Sequence, residues 1–198
     1  MAGYFSFILL APITLEFFKF YSYTLNILIF FCSYGFFSGF FLRLFLKIYP
    51  LKEGIYSMDS AEFTYWKLVT MIHYIAEKSL FLLNQAAFAP IIAKLFGAKI
   101  GKNVAIGGKI DSPYFIELED NVVLGHGTLI SGNYIQHDKL HLGKVKIKRN
   151  STIGVYSVVF PNTIIEEDVS VAIGSMVNPG THIPAGETWK GNPARKWN

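Results

Sequence analysis

The stretch IKRNSTIGVYSVVFPNTIIEEDVSVAIGSMVNPGTHI, residues 147–183, decides the fold. Taken in sixes it gives Ile147, Ile153, Val159, Ile165, Val171, Val177 and Ile183, all aliphatic. The residue four places after each of the first six is Ser151, Ser157, Thr163, Val169, Ser175 or Thr181, all small or β-branched. A period of six suits neither a helix at about 3.6 residues per turn nor a simple alternating strand. It suits a solenoid in which each hexad makes one flat side of a triangular coil. The aliphatic residue fills the prism, and the small residue sits near the corner, where a larger one would meet the coil above. Three hexads close a coil, so the faces stack as parallel sheets about 4.8 Å apart.

The register continues upstream. Ile100, Ile106, Leu118, Leu124 and Ile130 are spaced by multiples of six, with Ser112 as the one polar member. Val104, Ile110, Val122 and Thr128 stand at the small-residue position. Ile130 to Ile147 is seventeen residues, one hexad plus eleven, so residues 131–146 contain a loop thrown out of the prism.

Together with Ile100-Gly101, Ile106-Gly107, Leu124-Gly125, Ile153-Gly154 and the ending Trp189-Lys190-Gly191-Asn192-Pro193-Ala194-Arg195, the hexads resemble the hexapeptide-repeat transferases. That resemblance covers about residues 97–197. It implies a mainly β fold, a left-handed parallel β-helix of about four coils. The usual right-handed crossover is here reversed. It also implies acyl transfer from an acyl thioester such as acyl-CoA, in a homotrimer. It does not name an acceptor.

Of 198 residues, 18 are Phe and 11 are Tyr, and most of both fall in the first half. That half reads as membrane-like. The sole cysteine, Cys32, lies in an apolar run, which excludes a disulfide framework. Net charge is +4, with Lys and Arg interleaved with acids along the solenoid. This reads as a solvated face, with no nucleic-acid partner.

Residues 1–18 are apolar but lack a basic start and a small-residue cleavage site, so they do not read as a signal peptide. Between Lys19 and Arg43, residues 24–42 carry no charge. At about 1.5 Å per residue they cover about 28 Å, close to the roughly 30 Å of a hydrocarbon core. Residues 1–49 are therefore expected to be a transmembrane region of one or two spans. Arg43, Lys47 and Lys52 follow the span, which places the solenoid on the cytoplasmic side of an inner or plasma membrane.

Residues 50–96 are expected to be a linker and interfacial helices, with 97–198 as the transferase domain and its tail. Ser60-Ala61-Glu62-Phe63 opens a helix whose Trp66, Val69, Ile72 (or His73) and Ala76 share one face. The phrase from Ile91 to Gly101 and the ending from Thr188 to Ala194 look like the membrane-attached solenoids of polylysine-synthetase-type peptide synthetases. That likeness implies, as an alternative, an amide as the product bond, with a peptide synthetase as a separate partner.

Acyl transfer needs a base, oxyanion donors and a slot for the thioester. A histidine suits the base because its pKa lies near neutrality. The resemblance places it on the thrown loop at a subunit boundary. His137, with Asp138 beside it and Asn133 as a hydrogen-bond donor, is the first choice. Against the peptide-synthetase pattern the loop histidine falls at Tyr134. His126, in Leu124-Gly125-His126-Gly127, is the second choice. Its phrase also resembles one in γ-class carbonic anhydrases, but only one of their three metal histidines is matched, and no metal is expected. Lys190, Arg195 and Lys196 could meet CoA phosphates, and Gly174 could admit the pantetheine arm. The acceptor is expected to be a hydroxyl or amine on a lipid-linked or small molecule. A γ-carbonic-anhydrase-like metal protein and a non-catalytic trimeric scaffold are the other readings.

Overall fold

The computed structural model describes residues 22–80 and 88–197. The hexads wind into a parallel β-solenoid. One face stacks β2 (Lys99–Ile100), β5 (Ile116–Leu118), β10 (Val145–Ile147), β13 (Thr163–Ile165) and β16 (His182–Ile183). The second stacks β3 (Ala105–Ile106), β6 (Val123–Leu124), β11 (Thr152–Ile153), β14 (Ser170–Val171) and β17 (Thr188–Gly191), with β18 (Ala194–Lys196) folded back antiparallel on β17. The third stacks β4 (Lys109–Asp111), β7 (Leu129–Ser131), β12 (Val158–Val159) and β15 (Met176–Val177). That makes four complete coils and two faces of a fifth.

The sixfold aliphatics are the prism core. Ile147, Ile153, Val159, Ile165, Val177 and Ile183 are all 0% exposed. Each such side chain contributes about 1.5–3 kcal/mol. Ser151, Ser157, Thr163, Val169 and Ser175 are buried too, with Thr181 half-buried, and the Ser151 and Ser157 hydroxyls bond between coils. Ser151 donates to the Glu166 carbonyl (2.7 Å) and accepts from the Val169 amide (3.2 Å). Ser157 does the same with Ala172 and Ser175. Another corner is marked by left-handed Asn103, Asn121, Asn150 and Asp168, whose side chains form a ladder at 3.1 Å per step. Asn and Asp tolerate that conformation better than other non-glycine residues.

The first coil departs from strict sixes. Ile110, not Ser112, pairs with Ile130 and fills the core. The step from Ile106 to Ile110 is short, and a 3-10 turn at Pro113–Phe115 restores the phase by Ile116. Ser112 is buried in a left-handed conformation (φ 53°) at the head of that turn.

Three helices precede the solenoid: α1 (Ser22–Ile48), α2 (Ala61–Ser79) and α3 (Ala89–Leu95). Ser60 caps α2 by accepting from the Phe63 amide (3.1 Å), and Glu62 lies in the first turn. Ala89 and Ala93 of α3 plug the first coil, and Ala194 of β18 closes the last. The α2 face expected from sequence is buried at Val69, His73 and Ala76, packing with Leu42, Leu80, Ile92 and Phe96. Expected features within 1–21 lie outside the described residues.

The segment thrown out of the prism, the excursion, lies within residues 131–146, as expected. It is a hairpin of β8 (Asn133–Gln136) and β9 (Lys139–Leu142). His137 and Asp138 form its two-residue turn with φ 48° and 56°, and a type I′ turn requires that pair of left-handed residues. Residues 50–60 are not wholly linker. β1 (Gly54–Ser57) pairs with the free edge of β9, giving the order β1-β9-β8. Leu140 and Leu142 turn inward onto Phe63 and Phe115. An ion pair of Glu53 with Lys144 (2.7 Å) and the Met58 amide on the Asp138 carbonyl (3.3 Å) tie both ends.

Candidate functional site

The excursion sheet alternates, as any strand does. Leu140 and Leu142 point to the core, so the row Ile55, His141, Tyr134 points away from it. His141 is in the middle strand, held by ladders on both sides. Its ring stacks on Tyr134 with centroids 4.3 Å apart and planes 15° apart. Tyr134 in turn meets Phe160 of the third coil edge-on at 6.1 Å. This aromatic row therefore joins the excursion to the solenoid wall.

At the root of the hairpin, Asp111 gathers three donors. The Tyr74 hydroxyl donates to Oδ1 (2.8 Å); the Asn133 amide (3.0 Å) and Ser131 hydroxyl (3.3 Å) donate to Oδ2. Asn133 also donates to Ser112 Oγ at 2.6 Å. Burial, then the bond to Asp111, push the Tyr74 phenol up. Burial likewise pushes Tyr114 up to about 12, beside Ser112. His73 is buried against the Phe96 ring (4.7 Å), and burial pushes it down to about 4.

The residues singled out from sequence are distributed as follows. Asn133 is half-buried and committed to Asp111 and Ser112, so its amide anchors the hairpin in this conformation. Tyr134 is in the aromatic row. His137 and Asp138 are exposed at the tip, next to the turn that precedes α2. His126 is exposed at the corner before β7, its ring edge-on to Tyr156 at 5.7 Å. Tyr156 is left-handed (φ 55°), which is rare for a bulky residue. His126 and His137 lie beyond opposite ends of β7, so one chain does not join them.

Gly174 is left-handed and open: a Cβ there would have nothing within 4 Å. Lys190 lies over the Trp197 ring (4.0 Å), Lys196 pairs with Glu187 (2.6 Å), and Arg195 donates to the Ala194 carbonyl (3.2 Å). All three cations are exposed on one small hairpin. Among the described residues, no group of three His, Cys, Asp or Glu could hold a metal.

Sequence reasoning misses Asp111 and reads His141 as a solvated residue. The alternation Lys139, Leu140, His141, Leu142 was the available signal for a strand with His141 facing out.

No family model matches the chain. Over 163 residues, 80% of its length, the chain is 29% identical to the delta-poly-L-ornithine synthetase of Acinetobacter baumannii, of which it covers 12%. Over 76 residues it is 33% identical to the mitochondrial gamma carbonic anhydrase 2 of Arabidopsis thaliana, of which it covers 23%. Galactoside acetyltransferase in complex with coenzyme A superposes at a TM-score of 0.53, with 17% identity, over 74% of this chain and 86% of that one. The chain carries the hexapeptide-repeat β-solenoid fold. The chain spans less than a quarter of the length of either curated relative. The synthetase match is longer than the solenoid, so it reaches into the helical segment as well.

Proposed function

We propose that the hexapeptide solenoid is a membrane-attached acyltransferase, working as a homotrimer on an acyl thioester such as acetyl-CoA. The single observation that carries this reading is the half-buried His141–Tyr134 stack on an excursion that overhangs the third coil. It supplies a positioned base beside the solenoid wall, which is what the chemistry demands. Of the two excursion histidines, His141 is held by ring stacking and two ladders, whereas His137 occupies an exposed turn.

In the reaction, the imidazole takes the proton of an acceptor O–H or N–H. The freed lone pair attacks the thioester carbonyl, a backbone amide steadies the oxyanion, and the C–S bond breaks. The thiolate leaves with the proton from the imidazolium. Gly174 and the cations Lys190, Arg195 and Lys196 are the proposed CoA contacts.

The apolar α1 attaches the molecule to a membrane, and Arg43, Lys47 and Lys52 favour the cytoplasmic side for the solenoid. The acceptor is accordingly lipid-linked or membrane-proximal. The match to a poly-ornithine synthetase favours a second acceptor class, the amine of a cationic amino acid.

The test is thiol release from acetyl-CoA by the purified full chain, with membrane lipid extract, ornithine or lysine as acceptor. His141→Ala should lower the rate by about 10²-fold or more, and His137→Ala should not. Loss of activity in His137→Ala alone would transfer the role to the tip. No release by the wild type with any acceptor would reject acyl transfer.

A further inference from the structure

The helix α2 has three faces with three different fates. Val69, Ile72, Ala76 and Leu80 pack towards α1. Phe63 and Tyr74 reach the excursion and Asp111, and His73 meets Phe96. The remaining face exposes Leu68 (48%), Met71 (57%) and Ile75 (48%). At about 100° per residue these three fall within about 60° of one another. Lys67 and Lys78 lie on the flank nearer Tyr74, the solenoid side. The exposed stripe is therefore graded: apolar towards α1, cationic towards the solenoid.

The helix α1 is held alongside α2 over its second half. Gly35 lies under Leu80, where a Cβ would come within 2.5 Å of Leu80 Cγ, and Gly39 lies against Leu95 and Phe96. The Phe45 and Tyr65 rings meet at 5.9 Å, so the two helices are antiparallel. Arg43 donates to the Lys94 carbonyl at the end of α3 (3.1 Å). The outward side of this half still exposes Phe36, Phe37, Phe40 and Phe41. Among the described residues, only Tyr23–Tyr34 extends past α2. That is about 18 Å of helix, short of the roughly 30 Å needed to cross.

We infer that α1, α2 and α3 form a raft embedded in a single leaflet, with their axes in the membrane plane. The phenylalanines of α1 and the stripe Leu68, Met71 and Ile75 enter the acyl chains. Lys67 and Lys78 meet the phosphates of anionic lipid. α1 is then a monotopic mount and does not span, and the solenoid is pinned against the bilayer with no free tether between them. The inference rests on the membrane attachment proposed above, and its failure is separable from that of acyl transfer.

The experiment uses the full chain with Cys32→Ser and single cysteines introduced at Tyr23, Met71, Ile75 or Lys78. Membranes of the expressing cells are treated with an impermeant maleimide from each side in turn. Tyr23→Cys and Lys78→Cys should react only from the side that carries the solenoid. A bimane label at Met71→Cys or Ile75→Cys should be quenched by lipids brominated in the acyl chain. Labelling of Tyr23→Cys from the opposite side would overturn the raft, and so would no quenching at Met71 and Ile75. The paired variant Met71→Glu with Ile75→Glu should cut flotation with phosphatidylglycerol vesicles at least about tenfold. Its acetyl-CoA turnover in detergent should be unchanged. Undiminished flotation of that variant, in a folded state by circular dichroism, would contradict the proposal.

Discussion

The serine at the fourth position of a hexad is small for one reason and polar for another. Size admits it to the corner, and its hydroxyl closes a donor and an acceptor left between coils. Ser157→Val keeps the bulk modest but orphans both partners, so it should cost about 1–3 kcal/mol in chemical denaturation, more than Ser157→Ala. The steric part was legible in the spacing; the bonding was not, because spacing carries no direction for a hydroxyl. Ser112 shows the converse. Its place in the sixfold count suggested an inward residue, but the chain shortens one corner, and Ile110 fills the prism instead. His73 makes a testable pH claim. Its folded pKa, about 4, lies below the ordinary 6.5, so the unfolded chain takes the proton first as pH falls. Stability should therefore drop between about pH 6.5 and about pH 4, by roughly 3 kcal/mol in all. His73→Phe should flatten that slope in urea titrations at each pH.

At the scale of elements, the prism was legible because a period of six repeated over five coils has few competitors. The excursion was legible only as an interruption. Its hairpin depends on two left-handed residues, His137 and Asp138, which are not the Asn-Gly pair that announces such a turn. Its third strand comes from residues 54–57, far away in sequence, and nothing local points to that pairing. The turn should therefore prefer residues that accept positive φ. Replacing His137-Asp138 by Asn-Gly should leave the hairpin intact and raise stability slightly, whereas Asp138→Pro should dismantle it. Amide hydrogen exchange of residues 133–142 would read both outcomes. Ile55→Pro should loosen the same amides by removing one edge of the sheet, without touching the coils. Asn133 was legible as a donor, but its partner Asp111 was not, because the two meet only when the first two coils stack.

The whole molecule joins an apolar helical layer to a rigid prism through the α2–Asp111 contact and the β1 strand. This arrangement keeps the excursion close to whatever surface holds the helices. The helical region was legible as apolar from its lack of charge, but the packing of one side of α1 on α2 was not, because hydropathy does not say which side of a helix is already covered. Asp111→Asn turns one of the two accepting oxygens into a donor, so either Tyr74 or the pair Asn133 and Ser131 loses its acceptor. The substitution should slow transfer while leaving the solenoid folded, and its pH profile should keep the shape of the wild type, since Asp111 is placed here as a positioning residue. The account as a whole is tested most directly by incubating the full chain with labelled acetyl-CoA and membrane lipid extract. Label should move into a solvent-extractable acceptor in the wild type and not in His141→Ala. Equal transfer by both proteins, or none by a folded wild type with lipid or amine acceptors, would contradict it.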